Sequence, residues 1–109
     1  VHYGETVAIA GASGSGKSTV AQLIERFYDP KEGSIELDGV DLRRYSPRWL
    51  RDQIGFVSQE PTLFDQSVAD NIRFGLSDVT KERIELATKC ANAYDFITEF
   101  PDGFETQVG

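Results

Sequence analysis

The sequence predicts an α/β fold, and three observations carry that prediction. Residues 11–19 read Gly11-Ala12-Ser13-Gly14-Ser15-Gly16-Lys17-Ser18-Thr19 and fit the phosphate-binding pattern G-x-x-x-x-G-K-[ST]. Before this loop stands Glu5-Thr6-Val7-Ala8-Ile9-Ala10, an apolar run of the kind a buried strand makes. After it, Val20, Leu23, Ile24 and Phe27 recur at helical spacing within Thr19 to Phe27. Strand, loop and helix thus follow in the order that a phosphate-binding loop requires.

The loop pattern has a physical cause. Glycines let the backbone curl tightly, so that successive N–H groups turn inward toward phosphate oxygens. The helix that follows offers its free N-terminal amides and positive dipole end to the same anion. Lys17 is placed to add a cation at the β- and γ-phosphates, and Ser18 to offer a hydroxyl to Mg²⁺. The four fixed positions would coincide by chance at roughly one site in thirty thousand at average residue frequencies. A ligand-free glycine turn is the plainer reading, but a lysine facing a ring of amides makes little sense without an anion.

The remaining elements can be taken in chain order. Tyr28-Asp29-Pro30-Lys31-Glu32-Gly33 reads as a turn. Ser34-Ile35-Glu36-Leu37 and Val40-Asp41-Leu42 flank Asp38-Gly39, a hairpin signal. Ser46-Pro47 predicts a helix N-cap followed by Pro at the first helical position. Ile54 to Ser58 is a compact apolar strand candidate, and Gln59 to Phe64 a loop broken by Pro61. Ser67 is placed to cap a short helix through Val68, Ala69 and Ile72. Lys81 to Ala91 and Tyr94 to Phe100 predict two further helices, the first with Ile84, Ala87, Cys90 and Ala91 on one face. Asp102-Gly103 is another turn. Mixed strands and helices behind a phosphate loop argue for a P-loop NTPase core.

Composition narrows the function classes. The 109 residues suffice for one small domain or part of a larger one. A hydrophobic content of 39% and a charged content of 27% suit a globular chain rather than a disordered one. The net charge of −7 gives no footprint for non-specific nucleic-acid binding, so no nucleic-acid partner is expected. Nucleotide binding does not conflict with that charge, because the loop works through local amides and Lys17. Cys90 is the only cysteine and can form no internal disulfide; in its apolar surroundings it reads as a small core residue. No apolar run approaches the roughly 18–20 residues of a membrane span, and no signal peptide is visible, so a soluble segment is expected. The chain contains no Met, begins at Val1 close to a strand and stops at Gly109 without a terminating element, which reads as a fragment.

Taken together, these residues resemble the nucleotide-binding domain of ATP-binding cassette (ABC) transporters, in particular the exporter type that includes P-glycoprotein-like multidrug pumps. The resemblance covers essentially the whole chain. It rests on Gly4 to Ala8, on the Walker A loop Gly11 to Thr19, and on Glu25 to Pro30 with Gly33. It continues through Leu37-Asp38-Gly39 and Trp49-Leu50-Arg51 to Ile54-Gly55-Phe56-Val57-Ser58-Gln59-Glu60-Pro61-Thr62-Leu63-Phe64 and Asn71-Ile72. This last stretch is similar to the family's Q-loop region, with Gln59 as its glutamine.

The resemblance implies roles residue by residue. Backbone amides from Gly14 through Ser15 and Gly16 to Thr19 hold the β- and γ-phosphates of ATP, with Lys17 as the charged clamp. Ser13 lines the loop, and in this family its place also faces the partner domain across the ATP. Ser18 ligates Mg²⁺, and Thr19 reaches the α-phosphate. Gln59 touches Mg²⁺ and the attacking water and links the site to the membrane domain. Thr106-Gln107-Val108-Gly109 resembles the start of the exporter X-loop, which contacts the cytosolic ends of membrane helices. Trp49 and Tyr45 read as packing residues, Arg43-Arg44 as a solvated face, and neither Glu60 nor His2 is assigned a catalytic part.

Residues 1–109 are thus expected to form part of such a domain, with an antiparallel β segment and the start of the helical subdomain. The family's signature sequence, Walker B Asp, catalytic Glu and switch His are not found in it, and neither is the aromatic residue that stacks on adenine. The implied partners are a second nucleotide-binding domain and transmembrane domains, at the cytosolic face of a membrane. The implied function is ATP binding and, in the intact parent, hydrolysis that drives export. The alternatives are a hydrolysis-deficient regulatory cassette and a soluble ABC ATPase outside transport. The 109 residues alone are expected to be inactive in hydrolysis and poorly stable.

Overall fold

A computed structural model describes residues 1–109 throughout. The chain divides into two compact units, Val1–Val57 and Ser58–Gly109. No helix is long and apolar enough to cross a membrane.

In the first unit the phosphate loop runs directly into α1 (Lys17–Ile24). The helix begins two residues earlier than the apolar spacing suggests, because Gly16 takes a left-handed conformation and starts it at Lys17. It stops before Phe27, since the backbone turns left-handed at Arg26 (φ 58°). The Arg26 amide then donates to the Leu23 carbonyl (3.1 Å) and the Phe27 amide to that of Gln22 (2.8 Å), the two bonds of a Schellman motif. The hairpin forms as the sequence predicts. Asp38 and Gly39 both have positive φ (52° and 76°), and β1 (Glu36–Leu37) pairs antiparallel with β2 (Val40–Asp41).

Asp41 accepts from the Arg43 amide (2.9 Å) and caps the 3₁₀ turn Leu42–Arg44. Ser46 caps α2 (Pro47–Asp52), its Oγ accepting from the Trp49 amide at 3.4 Å. Leu42 and Leu50 are the buried apolar residues of this unit, Leu50 at 1% exposure. Tyr45 stacks on Trp49 (5.2 Å between ring centroids) and donates its hydroxyl to the Leu37 carbonyl (2.8 Å), in keeping with a packing role for both rings.

The runs expected as strands at 5–10 and 54–58 form no ladder. A strand is stabilised by hydrogen bonds to a neighbour, and no segment of the chain pairs with either run. Their apolar side chains are accordingly open: Val7 and Phe56 are about half exposed and Val57 is 90% exposed.

The second unit is tied through β3 (Gln66–Ser67), which pairs antiparallel with β4 (Gln107–Val108). Ser67 caps α3 (Val68–Ile72) by accepting from the Asp70 amide (3.1 Å), and its own hydroxyl donates to Asp70 Oδ2 (2.9 Å). Thr80 caps α4 (Lys81–Cys90). That helix closes in a second Schellman motif, with Asn92 left-handed and the Ala93 amide donating to the Thr88 carbonyl at 2.8 Å. Then come α5 (Tyr94–Glu99) and a 3₁₀ turn, Gly103–Glu105, where the Asp102-Gly103 turn was expected.

Ala69, Ile84 and Ile97 are buried here, together with Ser67 and Thr88. An apolar groove of about 560 Å³ runs between Leu63, Ile72, Ala87, Phe96, Phe100 and Val108. One expectation is corrected: Cys90 is exposed and is not a core residue. Helix α4 buries Ile84 and Thr88, four residues apart on one face, while Cys90 lies on a different side of the helix.

Candidate phosphate-binding site

Gly11, Ser13, Gly14, Ser15, Gly16, Lys17, Ser18 and Thr19 are brought together by one continuous stretch of the first unit. Its shape comes from backbone conformation. Gly14 (φ 78°) and Gly16 (φ 95°) are both left-handed, a conformation that strains any residue with a Cβ. The Ser15 amide donates to the Ala12 carbonyl (3.1 Å), closing the turn between them. At Gly11 an added Cβ would meet Ser15 Oγ at 2.6 Å, so the start of the loop also lacks room for a side chain unless Ser15 turns away.

No side chain caps α1 at Gly16. The orphan amides of its first turn, from Lys17 to Thr19, therefore have no side-chain acceptor, which is the condition for receiving an anion at a helix N-terminus. Lys17 is half-buried and bends back over the loop, its Nζ donating to the carbonyls of Gly11 (2.6 Å) and Ala12 (2.8 Å). Those carbonyls fix the ammonium at the rim of the loop and leave one of its donors free for a further oxygen. The residues fit a phosphate group: glycines where a Cβ is excluded, uncapped amides, and a cation held beside them. They also fit Mg²⁺, which prefers oxygen donors and takes few from protein when phosphates and water supply the rest; the Ser18 hydroxyl is such a donor.

Gln59 belongs to the second unit, where it lies exposed in a bend with Glu60. Neither Arg43 nor Arg26 is a free anion site. Arg43 is held by Asp41 (Nη2 to Oδ2, 2.6 Å) and Arg26 by Asp29 (Nε to Oδ1, 2.9 Å). Hydrogen bonds from Arg43 push the Asp41 carboxyl down to about 2, and the Arg26 hydrogen bond holds Asp29 below its ordinary value.

A long-range contact holds the far end of α1. Arg51 Nε donates to the Glu25 carbonyl and Nη2 to the Arg26 carbonyl, both at 3.2 Å, across 26 and 25 positions of sequence. No local pattern signals a pair so far apart.

The family model described as ABC transporter matches residues 1–107. The chain is 58% identical over 109 residues to ABC transporter B family member 1 of Arabidopsis thaliana, covering all of this chain and 8% of that protein. It is 56% identical over 107 residues to the mitochondrial potassium channel ATP-binding subunit of Mus musculus, covering 97% of this chain and 15% of the mouse protein. The chain therefore spans only a small part of these relatives. Among solved structures, a bacterial Atm1-family ABC exporter with ATP bound aligns with a TM-score of 0.83 and 41% identity, over 90% of this chain and 17% of that one. The α/β expectation is borne out at this level: the fold is that of part of an ABC ATPase domain, although the strand runs at 5–10 and 54–58 carry no ladder. With its phosphate loop ahead of α1 and 107 consecutive residues matching, the chain belongs to the ABC transporter family.

Proposed function

We propose that the chain binds Mg²⁺–ATP through residues 11–19 and that, in the intact protein, this binding and the hydrolysis that follows drive export of a substrate across a membrane. The observation that carries this reading is the loop itself: left-handed Gly14 and Gly16, the uncapped start of α1, and Lys17 held over the carbonyls of Gly11 and Ala12. Support also comes from the bacterial exporter of similar fold, whose structure has ATP bound.

In this reading the amides from Gly14 to Thr19 take the β- and γ-phosphate oxygens, and Thr19 reaches toward the α-phosphate. Lys17 gives its free donor to the same anion. Ser13 lines the loop and faces a second nucleotide-binding domain across the ATP. Ser18 would supply an oxygen to Mg²⁺, and for Gln59, in the second unit, the family resemblance implies a part toward the same ion and the attacking water. The ion neutralises charge on the phosphates when bound. Phosphoryl transfer depends mainly on positioning and electrostatic stabilisation, so the part played by these residues is to fix the anion and exclude wrong geometries. Transmembrane domains at the cytosolic face of the membrane are the other partner, and the family resemblance implies Gln59 and Thr106 to Gly109 as the residues that link to them.

Equilibrium binding of a fluorescent, non-hydrolysable ATP analogue with Mg²⁺ to the 109-residue chain tests the first half. ATP should displace the analogue and AMP should not, because the loop holds the β- and γ-phosphates. Lys17→Ala should weaken binding by about tenfold or more, the scale of a charge-assisted hydrogen bond. Equal competition by AMP, or unchanged affinity in Lys17→Ala, refutes the reading. The chain alone should release no phosphate above buffer, since no Walker B Asp or general base is found in its sequence. Lys17-dependent turnover would show that the chain holds its own base.

A further inference from the structure

We propose that Arg51 is a positioning residue for the phosphate loop, acting through α1 from the end opposite the loop. The proposal rests on the reading that residues 11–19 bind nucleotide phosphates.

Helix α1 has eight residues and none of them is buried. A helix so short is marginal by itself, and with Val20 to Leu23 only half-buried its packing against the unit is light. Contacts at its ends therefore weigh heavily in its direction. At the N-terminal end lies the glycine loop. At the C-terminal end the Schellman motif closes the helix against its own chain, and neither the Glu25 nor the Arg26 carbonyl accepts a backbone hydrogen bond.

Arg51 takes both of them at once, each at 3.2 Å, and its guanidinium also sits over the Phe27 ring, 5.5 Å from the centroid. A planar fork can satisfy two adjacent carbonyls in one fixed geometry, which a lysine ammonium cannot. Its charge stands at the negative end of the helix dipole. Arg51 is itself well placed to anchor, because it follows Leu50, the most buried side chain of the unit, in the last turn of α2. A second tie holds the same end: Arg26, left-handed although not a glycine, is bound by Asp29 at 2.9 Å.

The consequence is mechanical. The helix spans about 12 Å, so a small tilt at the clamped end moves the first-turn amides relative to the loop. Anion binding by several convergent donors is sensitive to displacements of about 1 Å.

The test uses the 109-residue chain as wild type, Arg51→Ala, Arg51→Lys and the control Lys17→Ala. Two quantities are read: the affinity for the Mg²⁺–ATP analogue, and amide hydrogen exchange over residues 11–19 and 22–27. Arg51→Ala should speed exchange in both segments and weaken the affinity about three- to tenfold. Arg51→Lys, which keeps the charge without the fork, should fall between it and the wild type. Faster exchange confined to 22–27 with affinity within about twofold of wild type overturns the proposal and leaves Arg51 as a local helix cap. Should Arg51→Ala unfold the chain, Arg51→Lys decides by the same two readouts. If the wild type fails to bind, or Lys17→Ala binds as well as it does, the nucleotide reading is what fails, and exchange at 11–19 alone then decides on Arg51.

Discussion

The two units of the chain are held by different means. The first, Val1–Val57, buries Leu42 and Leu50 and leaves Val7, Ile9, Phe27 and Phe56 about half exposed. Its phosphate loop stands on a helix with no buried residue, tied by the Arg51 fork. The second, Ser58–Gly109, is closed by polar contacts reaching across its length: β3 pairs with β4, and the Val68 amide donates to the Thr106 carbonyl at 3.0 Å. Asn71 alone ties four backbone groups there. Its Nδ2 donates to the carbonyls of Phe64, Gln66 and Ser67, and its Oδ1 accepts from the Phe64 amide. The unit that carries the proposed phosphate site thus buries fewer side chains than the other, as is common for binding segments.

The largest effect should come from the first unit, where so little else is buried. Leu50→Ala removes its best-packed side chain and should cost about 3 kcal/mol, the usual scale of a leucine truncation in a core. It should also loosen Arg51 next to it, so exchange over α1 should rise along with it. Urea unfolding followed by Trp49 fluorescence reads the loss on this side of the chain. A cost below about 1 kcal/mol would mean that the first unit collapses around the gap, and that its packing is looser than Leu50 suggests.

The matching change in the second unit is Asn71→Asp. A carboxylate cannot donate, so it would face the carbonyl oxygens of Phe64, Gln66 and Ser67 while keeping only the bond from the Phe64 amide. The expected cost is about 2 kcal/mol, from lost donors and like dipoles brought together. Exchange of the amides from Gln66 to Ile72 should rise while those of α1 stay unchanged. A rise in α1 as well would show that the two units unfold together and would erase the contrast between them.

What was legible in the sequence follows the same divide between local and distant causes. Features written within a few residues were readable: the Asp38-Gly39 hairpin, the Ser46 and Ser67 caps, Pro47 at a helix start, and the glycine loop. The runs at 5–10 and 54–58 advertise burial through their composition, but a strand also needs a neighbour, and composition says nothing of that. Cys90 lies exposed despite apolar neighbours at 87 and 91, because Ile84 and Thr88 are what fix the buried side of α4. The helix stop at Arg26 was invisible because a left-handed turn is read from glycine or asparagine, and Arg26 is neither. Of the candidate site, the residues of the loop could be listed in advance, but the clamp by Arg51 could not, since it joins residues 25 positions apart.

A smaller effect isolates a single cap. Ser67 is 2% exposed and both accepts from the Asp70 amide and donates to its carboxylate. Ser67→Ala should cost about 1 kcal/mol, the usual value of an N-cap. Ser67→Thr should retain most of it, because the same oxygen remains. If alanine costs nothing, α3 is held by its pairing with the rest of the second unit and not by its cap.

The smallest expected effect is on pH dependence, and it touches both units. Asp41 in the first is held down to about 2 by the side-chain hydrogen bonds of Arg43 and then by the Arg43 amide. Asp70 in the second is lowered by Arg73 first and by Ser67 next. A carboxyl whose folded value lies below its unfolded value of about 4 binds fewer protons when folded. Its contribution is therefore complete above about pH 4 and is lost as the pH falls, through about 2 in the case of Asp41. Both groups lie at the surface, where solvent and salt screen the pairing, so the slope should be shallow and should shrink further in about 1 M salt. Asp41→Asn should flatten the acid limb of the first unit, and Asp70→Asn that of the second, each read by unfolding between about pH 4 and pH 2. If Asp70→Asn has the larger effect, then the added tie to Ser67 matters more than the ion pair, and the second unit owes its firmness to its hydroxyl and amide contacts rather than to its charges.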